Sequence, residues 1–313
     1  MDTIGSFPII PFLLAAYLGS SGVRKRSLSL SGGIAAFIIG FAMMSVPLRV
    51  FGVSLIVFYL VGSRATKFGK QQKAKLEDGH EEAGNRNATQ VLCNSFSAYI
   101  ASLLWSALFV PGSVASLVLS DTISPQTPYN FDQWCPLTPP ASARLSRVLM
   151  FAALGHFSCC LGDTLASELG ILSKSRPRLV TTFQLVPPGT NGGMSAFGTI
   201  ASLCGGVIMG LTMLLSFVIQ SSRCRAEWFD IALPLLAWGA FGGLFGSFID
   251  SLLGATAQRT RYHSGKKMIL TDESIISPTT SDLQVISGLD LLSNNQVNLV
   301  SSIATAALLG WIA

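Results

Sequence analysis

An all-α bundle of about seven to eight membrane-crossing helices, without a soluble domain, is the fold class this sequence predicts. Three observations predict it. Only 12% of the 313 residues are charged, about half the share that a water-soluble domain carries. Half are hydrophobic, and mean hydropathy is +0.52. Apolar runs approach the roughly 20 residues needed to cross a hydrocarbon core, and they lack the dyad alternation of a membrane barrel. Residues 1–313 therefore read as a single integral membrane domain, with polar segments at 63–90 and 254–296 on its cytosolic side.

The first apolar run, 4–22, lacks the basic leader and small-residue cleavage site of a secretory signal and reads as a retained anchor. A second, 29–46, is closed by Pro47, and a third, 50–62, is short enough for the two to form a tight hairpin. After the polar segment 63–90 comes a fourth run, 91–119, interrupted by Pro111. A Pro-rich loop over 120–143 leads to a fifth, 147–172, which carries Asp163 and Glu168. The sixth and seventh, 193–219 and 229–253, are Gly-rich, as expected of closely packed membrane helices. The second polar segment precedes a last run over 297–313.

Basic residues set the orientation. Of 21 Lys and Arg, only Arg49, Arg144, Arg147, Arg223 and Arg225 fall in loops on one side. The other side holds the rest, and the positive-inside rule turns it to the cytoplasm, or to the stroma or matrix of an organelle. The N-terminus then faces away from that side, and an endomembrane such as the endoplasmic reticulum, or an organellar membrane, is the expected location.

Polar residues within the spans gather at the same inner leaflet. Asp163 and Glu168 end span five and Asp250 ends span seven, while Asn87, Gln90 and Asn94 open span four. Asp290, Asn294, Asn295 and Asn298 open the last one. Burying a carboxylate in a membrane costs about 2.5–3.5 kcal/mol at mid-bilayer, so such residues mark function. Asp163 and Glu168 are five apart, an offset of roughly 140° on an ideal helix, and do not share one face cleanly. Three acids with no His or Cys beside them suit Mg2+, which binds through carboxylates and substrate phosphates.

Between spans five and six lie Lys174, Arg176 and Arg178, then Pro187-Pro188-Gly189-Thr190-Asn191-Gly192-Gly193. This stretch lacks the Lys-Ser/Thr ending of a Walker A loop. Its glycines still allow close backbone approach, and a helix beginning at Gly193 offers N–H groups to phosphate. A plain loop-to-helix turn capped by Asn191 is the alternative. The six cysteines include no CxxC pair and read as small apolar core residues rather than a disulfide framework. His80 and His263 fall in loops, and His156, inside span five, reads as a packed residue.

Seven stretches carry a family resemblance: SLSLSGGIAAFIIGF, FYLVGSRATKFGKQQKAKLE, GNRNATQVLCNS, GDTLASELGILSKSRPRLVTT, VPPGTNGGMSAFGTIAS, GSFIDSLLGATAQ and VNLVSS. In that order they resemble the transmembrane protein 19 family, which includes the plant phytyl-phosphate kinase of the vitamin E pathway. Gly162-Asp163-Thr164, Ala166, Gly170 and Thr190 to Ser195 bear a more distant likeness to CTP-dependent polyprenol kinases such as dolichol kinase. The Lys and Glu of that pattern are absent, and Gly189-Thr190-Asn191-Gly192 stands in their place.

The resemblance implies transfer of a phosphoryl group from CTP or ATP to a membrane-embedded isoprenoid monophosphate, giving the diphosphate. On that reading Asp163, Glu168 and Asp250 are catalytic and hold Mg2+. Lys174, Arg176, Arg178, Gly189, Thr190, Gly192, Gly193 and Ser195 bind phosphate, and Arg64, Lys67, Arg86, Asn87 and Asn94 bind a second phosphate or the base. Partners are then the lipid membrane, the isoprenoid phosphate and the nucleoside triphosphate, with no nucleic acid. A cytidylyltransferase-type enzyme, a transporter and a non-catalytic membrane protein are the alternatives.

Overall fold

The computed structural model describes residues 7–78, 84–138, 144–270, 274 and 282–312. His80 and portions of both polar segments lie outside the described residues. Among these, α3 (Val50–Lys67), α8 (Arg144–Gly170), α9 (Ala196–Gln220) and α11 (Trp228–Thr256) are long and apolar enough to cross a membrane. Shorter apolar helices are α1 (Ile9–Arg24), α2 (Leu30–Ser45) and α6 (Phe96–Phe109), and α12 (Asn294–Ile312) closes the bundle with 19 residues. The remaining helices, α4 (Lys70–Lys73), α5 (Ala88–Cys93), α7 (Val114–Val118) and α10 (Ser222–Ala226), are single turns or little more. The protein is thus a helical membrane protein, as the hydropathy implies.

The expected fourth span, 91–119, is three helices rather than one. Asn87 and Gln90 form a reciprocal capping box that starts α5, satisfying two otherwise orphaned N–H groups. The chain breaks at Asn94–Ser95 and again at Pro111-Gly112, where Gly112 adopts φ 77°. Proline cannot continue a helix, and the positive φ turns the chain away.

Helix α8 is the axis of the bundle. It packs against α3, α6, α9, α11 and α12, and its middle, from Leu154 to Gly162, is buried without interruption. Glycines let its neighbours approach closely. A Cβ placed on Gly162 would lie 2.8 Å from Gly243 Cα of α11, and one on Gly206 of α9 would lie 2.0 Å from the Gly239 carbonyl oxygen of α11. Membrane helices associate through such small-residue contacts because lipid supplies no hydrophobic drive between them.

The end where α8 starts and α9 finishes is closed by the loop before α8. Trp105, Phe109, Tyr129 and Trp134 pack ring against ring there, edge to face except for the tilted Trp105–Phe109 pair, and Trp105 Nε1 donates to Ser146 Oγ at 2.9 Å. Burial pushes the Tyr129 phenol up to about 12. Cys135 and Cys224 form a disulfide across 89 residues of chain, with Cα atoms 4.9 Å apart. This corrects the reading of the cysteines as core residues alone. Nothing local marks the pair, because the loop and α10 are far apart in sequence and come into contact only once the helices between them have packed. Cys93, Cys159 and Cys160 are buried and unpaired, and Cys204 is exposed.

The opposite end carries short strands that an all-helical reading did not anticipate. The two polar segments build a four-stranded sheet from β1 (Glu77–Asp78), β4 (Thr260–His263), β5 (Met268–Leu270) and β6 (Leu283–Ser287), in the order β1-β5-β4-β6. A separate antiparallel pair, β2 (Arg178–Leu179) and β3 (Gly193–Met194), clamps the base of the Gly-rich stretch. Backbone groups in segments too polar for the bilayer are satisfied by pairing with one another.

Candidate active site

The close contact of α8 with α11 decides the site. Gly162 precedes Asp163 in sequence, so the same approach that brings Gly162 onto Gly243 carries Asp163 toward Asp250, two turns further along α11. The two carboxyl groups meet at hydrogen-bonding range. Ser301 Oγ donates to Asp250 Oδ2 at 3.1 Å. With its amide nitrogen turned inward, Asn298 donates to the same oxygen at 3.1 Å. Among the described residues, no Lys or Arg forms an ion pair with either aspartate.

Above the pair lies a cavity of about 420 Å3, within the range of small-molecule sites. The Gly-rich stretch forms one wall. Gly189 and Gly192 take φ of 86° and 75°, a region that favours glycine. At Gly192 a Cβ would stand 2.4 Å from the Ser251 carbonyl oxygen of α11, so only glycine brings the loop down beside Asp250. Buried Thr190 donates its hydroxyl to Pro187 O at 2.7 Å, and Asn191 N–H donates to Thr260 Oγ1 at 3.2 Å. Helix α9 begins one turn later than the glycines suggest. Its N-cap is Ser195, which accepts from Gly198 N–H at 3.1 Å, and neither Asn191 nor Gly193 starts it.

The far wall is basic. Lys73 is 1% exposed, and its Nζ donates to Ala65 O (3.0 Å), Thr66 O (3.1 Å) and Glu168 Oε2 (2.6 Å). Arg86 sits above it, donating to Ser63 Oγ and Thr66 Oγ1, both at 3.1 Å. Burial lowers the Arg86 pKa and the nearby Glu168 carboxylate opposes the shift; an arginine so placed stays charged. The segment around Arg86 is tied down by backbone bonds to the α1–α2 turn, Ser29 N–H to Arg86 O at 3.0 Å and Arg86 N–H to Ser27 O at 3.1 Å.

Residues 13–306 match the integral membrane protein DUF92 family. The chain belongs to the DUF92 family. It is 35% identical to Protein PGR of Arabidopsis thaliana over 309 residues, covering 98% of this chain and 97% of that one. An uncharacterized membrane protein of Methanocaldococcus jannaschii, MJ0933, is 39% identical over 112 residues, 35% of this chain and 42% of its own length. Protein VTE6, chloroplastic, of Arabidopsis thaliana is 25% identical over 250 residues, 79% of this chain and 61% of the relative. No solved structure matches. The DUF92 match agrees with the transmembrane protein 19 resemblance read from the sequence.

In this DUF92 chain the cavity brings together Asp163, Glu168, Asp250, Gly189, Thr190, Gly192, Gly193, Ser195, Arg86 and Asn94. It does not bring in the other basic residues named from sequence. Lys174 and Arg176 are exposed outside it, and Arg178 turns its guanidinium to Phe183 O at 2.8 Å. Arg64 lies along its own helix toward Leu60 O, Lys67 is exposed, and Asn87 is spent on the α5 capping box. The three acids do not form one ligand cluster. Among the described residues no group of three or more His, Cys, Asp or Glu could hold a metal ion; Asp163 and Asp250 converge, and Glu168 is drawn to Lys73.

Lys73 and Asn298 line the cavity although sequence reasoning assigned neither a site role. Lys73 stands among Lys67, Lys70 and Lys75 in one basic run. Its distinction comes from Gly69, which at φ 67° turns α4 back under α3 and leaves one lysine of the run buried. His156, fully buried in α8, does not line the cavity.

Proposed function

We propose that this protein is a phosphotransferase that passes the terminal phosphoryl group of a nucleoside triphosphate, CTP or ATP, to an isoprenoid monophosphate in the membrane. The observation that carries the reading is the facing pair Asp163 and Asp250 beneath a Gly-rich loop, with Arg86 across a cavity at one end of an apolar bundle. Two carboxylates held together without a basic partner repel each other, and a divalent cation relieves that repulsion. Asp163 and Asp250 would hold Mg2+, with Asn298 and Ser301 orienting Asp250. The ion, when bound, neutralises charge on the transferred phosphoryl group.

The chain's own residues do the rest. Backbone N–H groups of 189–193 and the Ser195 hydroxyl are candidates to cradle the triphosphate. Lys73 holds Glu168 so that its charge does not compete for the phosphates, and Arg86 offers a guanidinium matched to phosphate oxygens. The acceptor needs no strong base, because a phosphate monoester is already nearly dianionic at neutral pH, its second pKa being about 6. Among the described residues, no histidine lines the cavity.

We further infer that the site faces the cytosol, stroma or matrix. The basic loops lie at its end, and the Cys135–Cys224 disulfide lies at the other, where an oxidising compartment preserves it. Purified protein incubated with farnesyl phosphate and labelled CTP or ATP tests the reaction. Farnesyl diphosphate supports it, a CDP-lipid points to a cytidylyltransferase, and no product with either nucleotide overturns it.

A further inference from the structure

A second cavity, of about 80 Å3, adjoins the first. It lies between α1, α2, α3 and α5, and its lining is apolar except at one end. That end is formed by Arg86, Gln90 and Asn94, and all three also line the polar site. Small residues keep it open. Ala15 and Gly19 of α1 face Ala36 and Gly40 of α2, and a Cβ on Gly40 would meet only Met44 Cε at 3.7 Å and Ala15 Cβ at 3.9 Å. Along α3 the groove extends from Gly62 to Leu55, roughly 10 Å at about 1.5 Å per residue.

We propose that this groove is the isoprenoid-tail site and that Arg86 receives the phosphate of the lipid acceptor at its mouth. The inference rests on the phosphotransferase reading above and assigns the acceptor its place within it. Three observations argue for this occupant. The groove and the polar cavity share Arg86, Gln90 and Asn94 as lining, so an anionic head held at these residues stands at the mouth of the apolar groove. The Arg86 guanidinium is hydrogen-bonded to two neutral hydroxyls and to no described carboxylate, so its charge faces the junction uncompensated by a direct ion pair. The groove also runs away from Arg86 into the apolar part of the bundle, the direction a tail takes when its head stays at the membrane surface.

The position predicts where a chain-length filter sits. Gly40→Leu and Ala36→Phe fill the distal groove and should lower kcat/KM for geranylgeranyl phosphate at least tenfold more than for isopentenyl phosphate. Ile34→Ala, on the exposed face of the same helix, should leave that ratio unchanged. An equal effect of the groove-filling variants on both acceptors overturns the proposal. Photolabelling the wild-type protein with a farnesyl phosphate bearing a diazirine at the tail end needs neither folding of a variant nor turnover. Labelled peptides within 15–62 support the groove; labels confined to α9 and α11 overturn it. Tail labelling within 15–62 in a protein that forms no diphosphate would sink the kinase reading and leave the groove standing.

Discussion

Lys73 Nζ lies 2.6 Å from Glu168 Oε2, and the lysine is buried while the carboxylate is 22% exposed. The contact joins the polar segment after α3 to the last turn of α8, 95 residues away in sequence. A buried ammonium is tolerable only with its charge and its donors satisfied, and here two backbone carbonyls complete the set.

Removing one partner should therefore be costly. Glu168→Leu leaves the buried Lys73 ammonium without its counter-charge and is expected to destabilise the protein by about 3–5 kcal/mol, the range for breaking a buried pair. Thermal unfolding in detergent measures it. Lys73→Met added to Glu168→Leu should recover part of the loss, and strictly additive effects would show that the two residues do not interact.

Asp163→Asn and Asp250→Asn should each reduce turnover by about 10²–10³-fold, the scale for losing one charge-stabilising group. Thermal stability should change little, because an amide fills the same space. Activity should disappear with EDTA and return with Mg2+. Wild-type turnover in Asp163→Asn would remove that residue from the site.

Gly192→Val tests how the Gly-rich loop is seated. A side chain at φ 75° costs about 1–3 kcal/mol, and its Cβ collides with the Ser251 carbonyl. The loop should lift off α11, raising the KM for nucleotide more than for the lipid acceptor. Equal changes in both would argue that the loop does not touch the nucleotide.

The disulfide can be counted. Of six cysteines, Cys93, Cys159, Cys160 and Cys204 are free thiols. Denatured, unreduced protein should take up four maleimide-polyethylene glycol tags and reduced protein six. Uptake of six without reductant would mean that Cys135 and Cys224 are not joined. Cys135→Ser should lower the unfolding temperature by freeing the loop before α8 from α10.

Much of the architecture is legible in the chain itself, because membrane spans are written in a one-dimensional quantity. Hydropathy locates α3, α8, α9 and α11, and the bias of Lys and Arg orders their directions. Those directions put Asp163, Asp250 and the glycines of 189–193 at the same depth. Depth along a helix follows from counting residues, whereas rotation about its axis and choice of neighbour do not. Contact between Asp163 and Asp250 depends on Gly162 meeting Gly243. Lys73, chemically the same as Lys67, is buried because Gly69 reverses the chain. Glu168 turns from the aspartates to that lysine, and Cys135 finds Cys224 across the helices that separate them. Such pairings arise from packing between distant segments, whose energy no single stretch of sequence contains.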